Sequence, residues 1–167
     1  MSALAAFFAC KATPPSTESA AWKEVTEQGA FTASFPAEPK KETGATSSEY
    51  TAWDAKNMYS LRRSADPVYA KLSGQALTTT VDKAIRAKIA HYESKEGGNV
   101  VALNDVTLSS HPAKECAVTV AKPMKGTNFT RISVINGAYY DLSVFISAES
   151  SGKDGRERFF SSFKVAQ

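Results

Sequence analysis

The chain has 167 residues, 43% of them apolar and 22% charged, with a formal net charge of +3. That makeup suits one folded domain with some tail, able to bury roughly 70% of its unfolded surface, and excludes a disordered or fibrous protein. The basic residues fall in short groups, Lys40-Lys41, Arg62-Arg63 and the Lys122/Lys125 pair, which read as solvated faces, so no nucleic acid partner is expected.

Met1 to Ala9 is apolar, rich in small residues and ends against Cys10. It is too short to cross a bilayer, which takes ~20 apolar residues. Ala9-Cys10 resembles the end of a bacterial lipoprotein signal, with residues 1–9 the remnant of the signal peptide and Cys10 the lipidated residue. Phe7, Phe8 and the missing basic stretch depart from that pattern, and the plain alternative is a frayed N-terminus with a stray cysteine. Lys11 to Ala21 is polar and rich in Pro, Ser and Thr, so residues 10–21 read as a lipidated cysteine and a flexible tether. The folded domain is then residues 22–167.

Trp22 to Thr26 opens that domain as a strand, and Glu27-Gln28-Gly29 turns it. Phe31, Ala33 and Phe35 alternate until Pro36 ends the second strand. Glu38–Ser48 is polar, a loop or ragged edge. Tyr50–Trp53 and Met58–Arg63 form a hairpin over Asp54–Asn57, and Ala65-Asp66-Pro67 breaks it. A helix is expected from about Val81 to Glu93, begun by Thr79 with Asp82 three residues on. Its apolar stripe is Val81, Ile85, Ile89 and Tyr92, with Lys83, Arg86 and Lys88 off it, and Gly97-Gly98 stops it.

Asn99–Leu108 and Lys114–Ala121 pair around Ser109–Pro112. The strongest hairpin spans Asn128 to Ile146 around Asn136-Gly137. A two-residue turn would mix polar and apolar residues on both faces, so the hydrophobic pattern chooses a three-residue loop, Ile135-Asn136-Gly137, with Gly137 left-handed. That register gathers Ile132, Val134, Leu142 and Val144 on the core side and sets Arg131 opposite Asp141. After the loop Ser147–Gly155, Asp154 and Glu157 mark a short last helix docked by Phe159, Phe160 and Phe163. The order implies an α+β fold: an antiparallel sheet of about six to eight strands with one long and one short helix on its faces.

No catalytic constellation emerges. His91 lacks a metal-binding partner at helical spacing, and no cofactor-binding or metal motif is present. There is no nucleophile elbow, phosphate loop or apolar-set acid pair. Cys116, in Cys-Ala-Val-Thr-Val, reads as an inert buried thiol, with a Cys10–Cys116 disulfide as a competing reading. His111 sits at a hairpin tip five residues before it, which disfavours a Cys-His dyad. Trp53, beside a turn and next to Asp54, is the best candidate for an exposed recognition aromatic, with His111 second.

Several loose motifs occur in order across residues 22–164. They are Trp22, then Gly29-Ala-Phe-Thr-Ala-Ser-Phe-Pro-Ala-Glu-Pro-Lys; His111-Pro-Ala-Lys-Glu115; Arg131 followed by Gly137-Ala-Tyr-Tyr-Asp-Leu142; and Arg158-Phe-Phe-Ser-Ser-Phe163. Together they resemble bacterial domains with the Mog1/PsbP-like fold, though Ser110 stands where a glycine would precede x-Pro. The resemblance implies an antiparallel sheet sandwiched by helices, often on a secreted or lipid-anchored protein, and no catalytic residues. The expected function is therefore a non-catalytic, membrane-anchored envelope lipoprotein domain. It would bind an envelope protein or ligand through the loops at Glu38–Ser48, Asp66–Leu77 and Ser147–Gly155. The alternative is a small enzyme assembled from distant residues around His111.

Overall fold

The computed structural model describes residues 21–54, 56–150 and 153–166. The segments expected to be a signal remnant, a lipidated Cys10 and a tether up to residue 20 lie outside them.

The expected α+β fold is present, its large antiparallel sheet having seven strands. With a second, small sheet the described residues form ten strands and three helices, more than the six to eight strands and two helices expected. The additions are short: β3 (Lys40–Thr43) within the polar stretch, the closing strand β10 (Lys164–Val165), and one turn of helix, α1 (Pro67–Ala70). Asp66 caps α1 by accepting from the Val68 N–H at 2.9 Å, and Pro67 fits its first position.

Seven strands form one antiparallel sheet in the order β3-β4-β5-β9-β8-β7-β6. They are β3, β4 (Ser47–Asp54), β5 (Asn57–Ser64), β6 (Asn99–Leu108), β7 (His111–Val120), β8 (Gly126–Ile135) and β9 (Ala138–Ser147). A small sheet of β1 (Lys23–Glu27), β2 (Phe31–Phe35) and β10, in the order β1-β2-β10, packs on one face together with α3 (Lys153–Ser162). Rings interlock there: Phe35 meets Phe159 at 5.2 Å between centroids, and Tyr140 meets Phe163 at 5.2 Å.

The other face is covered by the long helix α2 (Gly74–Glu96), through Val81, Ile85 and Tyr92. It begins two turns earlier than expected, after Ser73, and Thr79 lies inside it. Leu77 explains the extra length, because it extends the apolar stripe one turn upstream of Val81 and packs on the same cluster. The helix ends as expected: Gly97 is left-handed (φ 62°), and the Gly98 N–H donates to the Tyr92 carbonyl at 2.9 Å.

The central hairpin overturns the register expected for it. Ile135 pairs with Ala138, leaving a two-residue turn in which Asn136 and Gly137 both have positive φ (49° and 72°). Ile132 therefore faces Asp141, and Arg131 lies opposite Leu142. The premise of one apolar face fails, since both faces of this sheet are covered. Ile132, Val134 and Phe145 point to α2, while Ile135, Tyr140, Leu142 and Val144 point to the small sheet and α3. With both sides buried, alternation cannot choose a register, and the turn chemistry decides it. Arg131 pairs instead with Glu115 on β7, at 2.6 Å. The β6–β7 connection is also tighter than expected, a two-residue turn with Ser109 and Ser110 at positive φ, so His111 already begins β7.

Candidate functional site

At one end of the large sheet, the C-terminal half of α2 lifts over the strands and leaves a pocket of about 360 Å³. Trp53 closes one side from the end of β4, and Pro123 and Met124 close the other from the β7–β8 loop. Met58, Val120 and Phe145 give it an apolar wall, and His91, Glu96 and Lys122 stand at the lining as polar groups. Trp53 is 47% exposed and Met124 41%, unusual for side chains of that kind. A second hollow of about 440 Å³ shares Pro123 and Met124 and lies against Lys56, Lys125 and the residues after β9. The loop tip thus stands between two concavities. On the far side the Lys56–Glu149 ion pair and the Asn57 Nδ2 to Ser150 Oγ bond (2.9 Å) tie the β4–β5 turn to the segment after β9.

Beneath the pocket runs a chain of polar side chains. Lys88 Nζ donates to Asp141 Oδ2 at 2.7 Å, and Ser143 Oγ donates to Asp141 Oδ1 at 2.9 Å. The Thr130 hydroxyl lies 2.9 Å from Ser143 Oγ and 3.2 Å from Asn128 Oδ1. Lys88 and Asn128 reach the pocket itself. Lys88 sits on the buried stripe of α2 rather than off it, seven residues after Val81 and four before Tyr92. Its spacing carried the signal, because a residue seven positions on returns to within about 20° of the same helix face.

The fold moves the protonation equilibria here away from neutrality. Burial pushes the Lys88 ammonium down, but the facing Asp141 carboxylate more than offsets this and holds it protonated. Burial pushes the Tyr92 phenol up, and the Cys116 thiol up to about 11. None of these shifts prepares a base or nucleophile near pH 7. Cys116 is a fully buried free thiol. Among the described residues no group of three or more His, Cys, Asp or Glu side chains could hold a metal ion.

The two recognition candidates part company. Trp53 lines the pocket as an exposed aromatic, while His111 is half-buried and lies at the opposite end of β7 from the lining residue Val120, roughly 30 Å away at strand rise. His111 and Cys116 differ by an odd number of residues on a strand regularly paired between them, so they face opposite sides of the sheet. His111 lines neither the main pocket nor the small cleft of about 60 Å³ at Pro112–Lys114. Of the three loops expected to form the working surface, only the stretch after β9 borders either hollow at this end. Met58, Lys88, Met124, Asn128 and Phe145 carried no functional mark in the sequence, since each reads locally as strand, helix or loop.

No family model and no curated protein matches the sequence. Among solved structures, the cyanobacterial PsbP (CyanoP) of Synechocystis sp. PCC 6803 superposes with a TM-score of 0.62 and 9% identity. The superposition covers 93% of this chain and 99% of that one. The fold is that of PsbP. The PsbP-like fold bears out the resemblance read from the motifs at Gly29–Lys40 and Arg158–Phe163. Weaker likenesses are a protein from Bacteroides thetaiotaomicron VPI-5482 (TM-score 0.45, 13% identity, 82% of this chain and 45% of that one). Another is a Pseudomonas aeruginosa protein of unknown function (TM-score 0.43, 10% identity, 76% and 83%).

Proposed function

We propose that this chain is a non-catalytic binding domain of the bacterial cell envelope. It is anchored by lipid on Cys10 and captures a partner protein or ligand in the pocket between Trp53 and Met124. One observation carries the reading: two large apolar side chains stand exposed on opposite lips of a concave, mostly apolar hollow with a few polar groups in its lining. Solvent-facing Trp beside a pocket is the usual anchor of an interface, whereas a core has no use for it. The protonation shifts support binding over chemistry, because Lys88 is held charged by Asp141 and Cys116 is held as a thiol.

The test has two arms. Immobilised full-length chain is offered envelope extract, and the partner retained by wild type is lost with both Trp53→Ala and Met124→Ala while His111→Ala keeps it. Equal retention by all variants would reject the pocket. Intact mass of chain purified from its native membranes shows an acyl gain that Cys10→Ala abolishes together with membrane partitioning. An unmodified, freely soluble wild type would reject the anchor.

A further inference from the structure

The two edges of the large sheet are guarded very differently. β3 has only four residues, all exposed, and presents Lys40, Lys41 and Glu42, the kind of charged, short edge that resists pairing. β6 is ten residues long, contains no lysine, arginine or proline, and exposes Val100 (41%), Val101 (63%) and Leu103 (41%). Those three are half of the six large apolar side chains that stand exposed among the described residues. A bulge interrupts β6 between Val100 and Ala102, but from Ala102 to Leu108 it is evenly paired to β7, so among the described residues its outer side is a ladder of backbone groups without a strand partner. Its single charge, Asp105, is already matched by Lys114 at 2.6 Å.

We propose that β6 pairs antiparallel with β6 of a second copy of this chain, about a two-fold axis perpendicular to the sheet at Leu103. Such an axis keeps every side chain on its own face, so the central residue must meet its own twin. Centring on Asp105 would oppose two carboxylates. Centring on Leu103 opposes two apolar side chains, pairs Ala102 with Asn104, sets each Asp105 against the bulged Val101 of the other copy, and holds the two Asp105 carboxylates about four residues, roughly 13 Å, apart. The pairing joins seven strands from each copy and covers the exposed apolar residues of both β6 strands at once. It also closes. Both outer edges of the joined sheet are then β3, whose lysines oppose a further strand, so the assembly stops at two copies.

Sedimentation velocity on the full chain over a range of concentrations tests this. The expected result is a reversible dimer whose dissociation constant rises at least tenfold with Leu103→Lys, which sets two like charges against each other at the axis, while Val68→Lys at another exposed apolar site leaves it unchanged. Leu103 is exposed, so the variant keeps its fold, checked by an unaltered far-ultraviolet spectrum. A single-copy mass up to ~1 mM overturns the proposal and leaves the edge to a strand of another protein. A dimer that Leu103→Lys leaves intact overturns it as well, because the contact then lies elsewhere.

Discussion

Lys88 and Asp141, 53 residues apart in the chain, meet at 2.7 Å between α2 and β9, directly below the Trp53–Met124 pocket. The carboxylate is almost fully enclosed (8% exposed) and the lysine is reached by solvent from the pocket side (31%). The pair therefore fixes the register of the helix over the sheet and sets a positive charge at the pocket floor.

Removing one partner leaves the other uncompensated. Lys88→Met strands Asp141 inside and should lower unfolding free energy by about 3 kcal/mol, at the low end for a buried pair because solvent reaches the site. Adding Asp141→Leu should recover a good part of that loss. Urea unfolding of the single and double variants measures both, and a loss below ~1 kcal/mol in the single variant would contradict the pairing.

Gly126 opens β8 where no side chain fits. A Cβ there would stand 2.3 Å from the Ile146 carbonyl oxygen and 2.6 Å from the Phe145 ring. Gly126→Ala should cost about 1–3 kcal/mol by overpacking and push Phe145 into the pocket. Gly29 makes the comparison: its Cβ would meet nothing within 4 Å, yet its φ of 71° is left-handed. Gly29→Ala should cost only about 1 kcal/mol of backbone strain. Thermal unfolding of the two variants ranks them, and the reverse order would be inconsistent with this packing.

Glu27 ties β1 to the large sheet. Burial alone would raise its pKa, but hydrogen bonds from Ser48 Oγ (2.7 Å) and Tyr50 Oη (2.9 Å), with Arg63 and Lys41 alongside, bring it below the usual 4.5. A carboxylate lowered in the folded state contributes stability above its unfolded pKa and loses it as pH falls through the folded value. Wild type should therefore lose stability on acidification below about pH 4.5 more steeply than Glu27→Gln. Parallel slopes of stability against pH in the two proteins would remove Glu27 from that role.

The Cys116 thiol lies between α2 and β7, fully enclosed, with its pKa pushed by burial from 9.0 to about 11. Folded Cys10→Ala protein, in which Cys116 is the remaining thiol, should react with a thiol reagent at pH 8 only as fast as it opens, and denaturant should release the full signal. The sign at high pH is the reverse of that for Glu27. An acid raised by folding opposes ionisation, so stability falls as pH climbs from 9 towards 11. A Cys116→Ala variant should lack that decline.

Local patterns in the chain were enough to specify the pieces. Phe31, Ala33 and Phe35 alternate as β2, Asn136-Gly137 turns the central hairpin, Gly97-Gly98 ends α2, and Phe159, Phe160 and Phe163 bury the last helix. Each depends on neighbours within a few residues, where periodicity and turn chemistry act directly. The placement of Trp53 beside a turn was enough to mark it as an exposed aromatic. Which faces of the sheet would be covered was a different matter, because that depends on layers contributed by β2, α2 and α3 from far along the chain. Only tertiary structure made Asp141 an inward partner of Lys88 and moved Arg131 to Glu115. The pocket belongs to the same class of fact: Trp53, Lys88, Met124 and Phe145 come from four separate elements, and their meeting is decided by how the helix sits across the strands.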